Sequence, residues 1–262
     1  MAGSEVPVQV VGIETGPVRA GDDLLALLDA HLPRLRDGDV VAVASKVVAL
    51  CQGRVVPDDG RVDRRELVRS EAERYLEDER LERLGVVLTF AGGLLIPNAG
   101  VDQSNGDGHL VLWPRDPFGV ARRVWEHLRA AGAPRELGVV ITDSHVTPLR
   151  WGVTGVGLAW CGFEPARDYV GRPDVFGRTM RMTRANLLDG LAASAALVMG
   201  EGDERRPLAL IRQAGFLTFQ DRPPTAEERR RVRIAPEDDL YGPLLGAARW
   251  IAGGAGADRT GG

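Results

Sequence analysis

The sequence predicts a fold that combines helices and sheets, and three observations support this. Val40-Val41-Ala42-Val43-Ala44 and Leu137-Gly138-Val139-Val140-Ile141-Thr142 are short continuous apolar runs of the kind found in strands buried on both faces. Leucines at 24, 25, 27, 28 and 32, and later Val120, Val124 and Leu128, recur at helical spacing. Turn residues such as Asp37-Gly38-Asp39 separate the two kinds of segment. At 262 residues and 44% apolar, the chain can bury a full core as one large domain or two smaller ones.

Taken in order, 7–13 reads as a strand and Glu14-Thr15-Gly16-Pro17 as a turn. Asp22 or Asp23 caps the leucine helix and Pro33 ends it. Ser45-Lys46 follows the 40–44 strand directly. A hydroxyl and an ammonium there suit a phosphate, although a lysine at a strand end is equally a solvated one. Residues 64–78 read as a highly charged surface helix. Asp116 caps the next helix, with Pro117 in its first turn, His127 on its surface and Gly132 at its stop. Gly155 and Gly157 match neither a dinucleotide fingerprint nor a P-loop, and they fit strand glycines that permit close backbone approach. The 168–178 loop carries Arg172 and Arg178, either as an anion-binding surface or as a solvated connection. Residues 186–199 form an alanine- and leucine-rich helix read as buried, 208–211 a strand, and Thr225 to Glu228 a capping box. Residues 251–262 read as a disordered tail after a single unit at 1–250, with any subdivision placing the site between two subdomains.

The net charge of -4 argues against nucleic acid as the main partner. Cys51 and Cys161 lie in strand-like context without a CxxC, as buried thiols of a reducing cytosol do. No signal segment and no sufficiently long apolar run appears, so the expected location is cytoplasmic and off the membrane.

Chemistry concentrates in three polar clusters. Asn98-Ala99-Gly100-Val101-Asp102-Gln103-Ser104-Asn105 sits between two apolar runs, where short carboxylates and amides on rigid strand ends suit a hard cation and its phosphates; a plain polar hairpin turn is the alternative. Thr142-Asp143-Ser144-His145 follows the 137–142 strand, at the crevice where open sheets place ligands. Gly200-Glu201-Gly202-Asp203 ends the 186–199 helix, and a glutamate between two glycines exceeds what C-capping needs. Ser144-His145 is not read as a nucleophile–base pair, because adjacent strand residues face opposite ways and no GxSxG surrounds the serine.

With these clusters on the page, the chain resembles the coenzyme F420-0:γ-glutamyl ligase family. The resemblance runs from about Val8 to Ile211 through Gly21-Asp22-Asp23-Leu24, Asp39-Val40 to Ser45-Lys46, Gly53-Arg54, Asn98 to Asn105, Val140-Ile141-Thr142-Asp143, Asp168-Tyr169, Gly171, Gly177-Arg178 and Met199-Gly200-Glu201. It implies an α+β fold with mixed sheets, an intertwined homodimer, and a ligase that uses GTP and two divalent ions, Mg²⁺ or Mn²⁺. The reaction implied joins L-glutamate to a small-molecule carboxylate acceptor.

By position, the resemblance implies Asp102, Asp143, Ser144 and Glu201 as metal ligands, with Asp102 and Asp143 catalytic. It implies Thr15, Gly16, Ser45, Lys46, Asn105, Gly200, Gly202 and Asp203 at the nucleotide, and Arg150 and Arg178 at the substrate. Two departures stand out: Leu50 where the family has a second lysine, and Val146-Thr147 where it has Gly-Arg. They lead to the expectation of an acceptor other than F420-0, and the 142–155 run with Phe219-Gln220-Asp221-Arg222 resembles a bacterial branch labelled as folate-metabolism γ-glutamate ligases. The alternatives are another amino acid as donor, the same chemistry on F420-0 itself, or a nucleotide-binding regulatory protein without turnover.

Overall fold

A computed structural model of the protein describes residues 7–132 and 134–256. Its centre is a five-stranded sheet in the order Gln9–Ile13, Leu208–Arg212, Asp39–Ala44, Leu137–Val146, Val153–Cys161. The Asp39–Ala44 and Leu137–Val146 strands pair in parallel, and the other three pairings are antiparallel. Alternation along the strands sorts side chains to the two faces. Val41, Val43, Val139 and Ile141 pack on one side with Val120, Val124, Trp125 and Leu128 of the helix Pro117–Ala130. Val40, Ala42 and Val140 pack on the other with Leu188, Leu191, Ala192 and Ala195 of the helix Leu187–Met199. Because both faces are covered, the central strands read as unbroken apolar runs.

Strand glycines set how closely the second helix lies. A Cβ on Gly157 would stand 2.3 Å from Leu188 Cγ, one on Gly155 2.2 Å from the Ala192 carbonyl oxygen, and one on Gly12 2.4 Å from that of Val198. Contrary to what its composition predicts, the helix is not buried on all sides: Leu197 faces outward and is 86% exposed.

A second, antiparallel sheet has the order Trp250–Ala252, Arg74–Leu76, Leu88–Ala91, Leu94–Pro97. It corrects two expectations. The charged helix read over 64–78 ends at Glu71, and Arg74–Leu76 forms strand. The stretch from 251 read as tail completes a strand that pairs with Arg74–Leu76, and Trp250 packs on Phe90 with ring centroids 4.5 Å apart. Only 257–262 of that stretch lie outside the described residues. Cys51 likewise ends the helix Ser45–Cys51 rather than a strand, and it is half-buried. Burial pushes its thiol up to about 11 and that of Cys161 to about 12. Two short pairings, Val55–Pro57 with His109–Val111 and Ala166–Asp168 with Arg184–Asn186, complete the sheets. Among the described residues no helix is long and apolar enough to cross a membrane.

Two glycine substitutions, one at the packing interface and one on the outer face of the helix, test this account with opposite signs. Gly157→Ala should cost roughly 1–3 kcal/mol through overpacking against Leu188. Gly190→Ala, on the exposed face of the helix with open space around its Cβ, should add about 1 kcal/mol of helix propensity. Urea denaturation of the two variants reads both, and equal shifts would contradict the packing.

Candidate functional site

A cleft of about 810 Å³ opens at one end of the central sheet. Ser45 and Lys46, Asp102 and Asn105, Asp143 and Ser144, and Gly200 to Asp203 all line it, as does Gly16. Local conformation explains how each arrives. Asn98, Ala99 and Gly100 are consecutive left-handed residues, with φ of 55°, 50° and 75°. Thr89 holds this turn by donating to the Ile96 carbonyl at 2.7 Å and accepting from the Ala99 N–H at 2.9 Å, and Asn98 Oδ1 accepts from the Val87 N–H at 2.9 Å. The polar stretch therefore divides in two, with Asn98 building the turn while Asp102 and Asn105 face the cleft.

Asp143 lies within the Leu137–Val146 strand rather than after its end, because pairing with Val153–Cys161 extends the strand past Thr142. Ser45 Oγ donates to its Oδ1 at 2.8 Å, and the Trp113 indole N–H donates to Oδ2. Burial pushes the Asp143 carboxyl above the usual carboxylate range, against these two donors and the nearby Lys46 charge.

Asp102 is the opposite case. Burial would raise its carboxyl, but Lys46 and Ser104 together hold it below the ordinary value. Lys46 Nζ sits 2.6 Å from Asp102 Oδ2 and donates to the Ser104 carbonyl at 2.9 Å and hydroxyl at 2.8 Å. Ser104 closes the turn, its N–H and hydroxyl both donating to Asp102.

The third acid, Glu201, accepts from Ser144 Oγ at 2.9 Å on both carboxylate oxygens. Asn105 Nδ2 donates to the Gly202 carbonyl at 3.1 Å, which ties the 98–105 turn to the loop after the Leu187–Met199 helix. In that loop Gly200 has a φ of 79°, and a Cβ there would stand 2.2 Å from Glu204 Cδ, while Asp203 is exposed at the cleft. The Thr15 N–H donates to the Arg205 carbonyl at 3.0 Å, anchoring the Thr15-Gly16 turn to the same loop.

Some expectations are not met. Among the described residues, no three His, Cys, Asp or Glu side chains gather where they could hold one metal ion. Asp102, Asp143 and Glu201 share the cleft, but each has its own donors, since like charges repel without a shared countercharge. The side-chain oxygens of Asp102, Asp143, Ser144 and Glu201 are the donor type that suits Mg²⁺ or Mn²⁺. Arg150 lies in the exposed turn joining the 137–146 and 153–161 strands, and Arg178 in the exposed 168–184 loop; neither lines the cleft. Leu50 does line it. Ser144 turns to Glu201 and makes no bond to His145, consistent with the rejected nucleophile–base pair. Sequence reasoning missed Arg19, Arg64, Arg205 and Arg206 on the lining, and Trp113 behind Asp143. The arginines carried no motif, and Trp113 read only as the end of an apolar run.

Comparison with known proteins follows from this geometry. A family profile described as F420-0:Gamma-glutamyl ligase matches residues 12–213. The coenzyme F420:L-glutamate ligase of Methanothermobacter thermautotrophicus is 34% identical over 78% of this chain and 88% of its own. That of Methanopyrus kandleri is 33% identical over 86% and 93%. That of Natronomonas pharaonis is 36% identical over 76% and 83%.

The enclosed Asp143 carboxylate generates a stability prediction. In metal-free buffer at neutral pH, Asp143→Asn should melt no lower than the original chain, because the amide removes a buried charge. Its oxygen still accepts from Trp113, and its NH₂ can donate to Ser45 Oγ. A loss above about 1 kcal/mol in thermal or urea unfolding would show that the carboxylate itself holds the fold.

Proposed function

The chain belongs to the F420-0:gamma-glutamyl ligase family, and on that premise we propose that it joins L-glutamate to F420-0 by an amide bond, driven by phosphoryl transfer from GTP. One observation carries the reading: Asp102, Asp143, Ser144 and Glu201 line the same cleft as Ser45, Lys46, Asn105 and the Gly200 to Asp203 loop. Oxygen donors for a cation thus stand beside cationic and amide groups for phosphates. Asp102, Asp143, Ser144 and Glu201 would hold two divalent ions, Mg²⁺ or Mn²⁺. When bound, these supply neutralisation of charge on the transferring phosphoryl group.

In the first step an acceptor carboxylate oxygen attacks the γ-phosphorus and the bond to the β-phosphate oxygen breaks, releasing GDP and leaving an acyl phosphate. In the second, the glutamate amine attacks the acyl carbon, inorganic phosphate departs, and the nitrogen gives up a proton. Lys46 turns from Asp102 to the phosphates, where its ammonium acts as a point charge. Asn105, the Gly202 backbone and the Thr15-Gly16 turn orient the nucleotide.

The acceptor differs from the one expected on sequence departures alone. Val146, Thr147 and Arg150 lie outside the cleft lining, so their change does not argue against F420-0 there. The relatives' names supply the positive argument. Leu50 remains the one altered position on the lining. For assembly we propose an intertwined homodimer with one ligase unit that extends past 250 to include the strand Trp250–Ala252: Leu149 and Trp151 in one projecting turn and Val175 and Phe176 in another are over 90% exposed, an arrangement suited to burial by a second copy.

Incubation with GTP, Mg²⁺ or Mn²⁺, L-glutamate and either F420-0 or a folate, followed by mass spectrometry and phosphate release, tests the proposal. F420-0 should gain glutamate with stoichiometric phosphate release, and Asp102→Asn and Glu201→Gln should each lower kcat at least ~100-fold. Faster glutamylation of the folate would overturn the acceptor, and turnover without nucleotide would overturn the mechanism.

A further inference from the structure

Trp113 is built into this cleft with more care than a core tryptophan needs. It is 6% exposed, and its indole N–H donates to Asp143 Oδ2 while Ser45 Oγ donates to Oδ1. Two glycines make room for the ring. A Cβ on Gly100 would stand 2.1 Å from the indole Cδ1 and Nε1, and one on Gly92 2.7 Å from Cζ3; both residues have positive φ, of 75° and 59°. The Trp113 carbonyl accepts from Arg54 Nε at 3.1 Å, and the Arg54 guanidinium pairs with Glu71 at 2.6 Å. The indole is therefore met by Gly100 over its five-membered ring and by Gly92 at its Cζ3 rim, and it is held at its own backbone by a paired arginine.

We propose that Trp113 is a positioning residue that fixes the orientation of the Asp143 carboxylate for its work on cation and phosphate. The inference rests on the reading of Asp143 given above. A carboxylate on a short side chain rotates about its last bond unless both oxygens are engaged. With one donor on each oxygen, the plane is set and the remaining lone pairs are directed by the protein before any ligand arrives. Partners of this kind typically contribute 10–100-fold to metal affinity or activity. Phenylalanine at 113 keeps an aromatic ring in this site but removes the N–H together with the outer part of the indole, which leaves a small void.

Trp113→Phe is the test, with Mn²⁺ as probe, titrated by electron paramagnetic resonance and by calorimetry. Affinity should fall about 10–100-fold, and kcat at saturating Mn²⁺ should fall at least ~10-fold, while the glutamate KM stays close to that of the original chain. Unchanged Mn²⁺ affinity and kcat in Trp113→Phe, with binding lost in Asp143→Asn, overturns the positioning role alone. Mn²⁺ binding that survives Asp143→Asn overturns the reading of Asp143 on which the role depends. Should Trp113→Phe fail to fold, the indole N–H resonances of the original chain decide. One of the five should broaden away on Mn²⁺ addition, and retention of all five overturns the proposal.

Discussion

The parallel pairing of Asp39–Ala44 with Leu137–Val146 is the constraint on which the cleft depends. Its register sets Ala44 beside Thr142, so the next residues, Ser45 and Asp143, meet although 98 positions separate them. Parallel neighbours need a crossover connection, and here the crossover carries the 98–105 turn and most of the second sheet. The strand Leu208–Arg212 lies antiparallel on the other side of Asp39–Ala44, with Leu208 opposite Val43, and it brings the residues just before it to the same end. Gln9–Ile13 in turn pairs Ile13 with Leu208, so the Thr15-Gly16 turn leaves there as well. Strand order and direction thus deliver four separate polar segments to one end of one sheet.

Charge then governs how those segments coexist. Among the charged groups that line the cleft, three acids each have a donor supplied by the polypeptide: Lys46 for Asp102, Ser45 and Trp113 for Asp143, Ser144 for Glu201. Clustering them without such donors would leave like charges facing one another in a partly desolvated space. The same donors are groups a phosphate or a hard cation could displace, since each acid keeps unused lone pairs. Asp102, whose carboxyl is held down by Lys46 and Ser104, and Asp143, whose carboxyl burial raises, differ in how readily each gives up its charge.

The chain's pattern by itself determined the elements whose period is strong: the buried strands around Val40–Ala44 and Leu137–Thr142, the capped helices after Asp23 and Asp116, the capping box at Thr225, and the close approach permitted by Gly155 and Gly157. Those signals are local, because burial, capping and backbone freedom are set within a few residues. The ordered polar clusters also determined the family, since Asp102, Asp143 and Glu201 stand in recognisable surroundings. Tertiary structure alone decided which residues share the cleft. Arg150 and Arg178 carried the right chemistry yet stand on projecting turns, whereas Trp113, with an apolar surrounding sequence, reaches Asp143. The strand at Arg74–Leu76 and its partner at Trp250–Ala252 were equally hidden, because charged and glycine-rich sequences become strand only when a distant edge offers them backbone hydrogen bonds. Side-chain type is a property of sequence, but the direction in which a side chain points and the neighbour it meets are properties of the packed sheet.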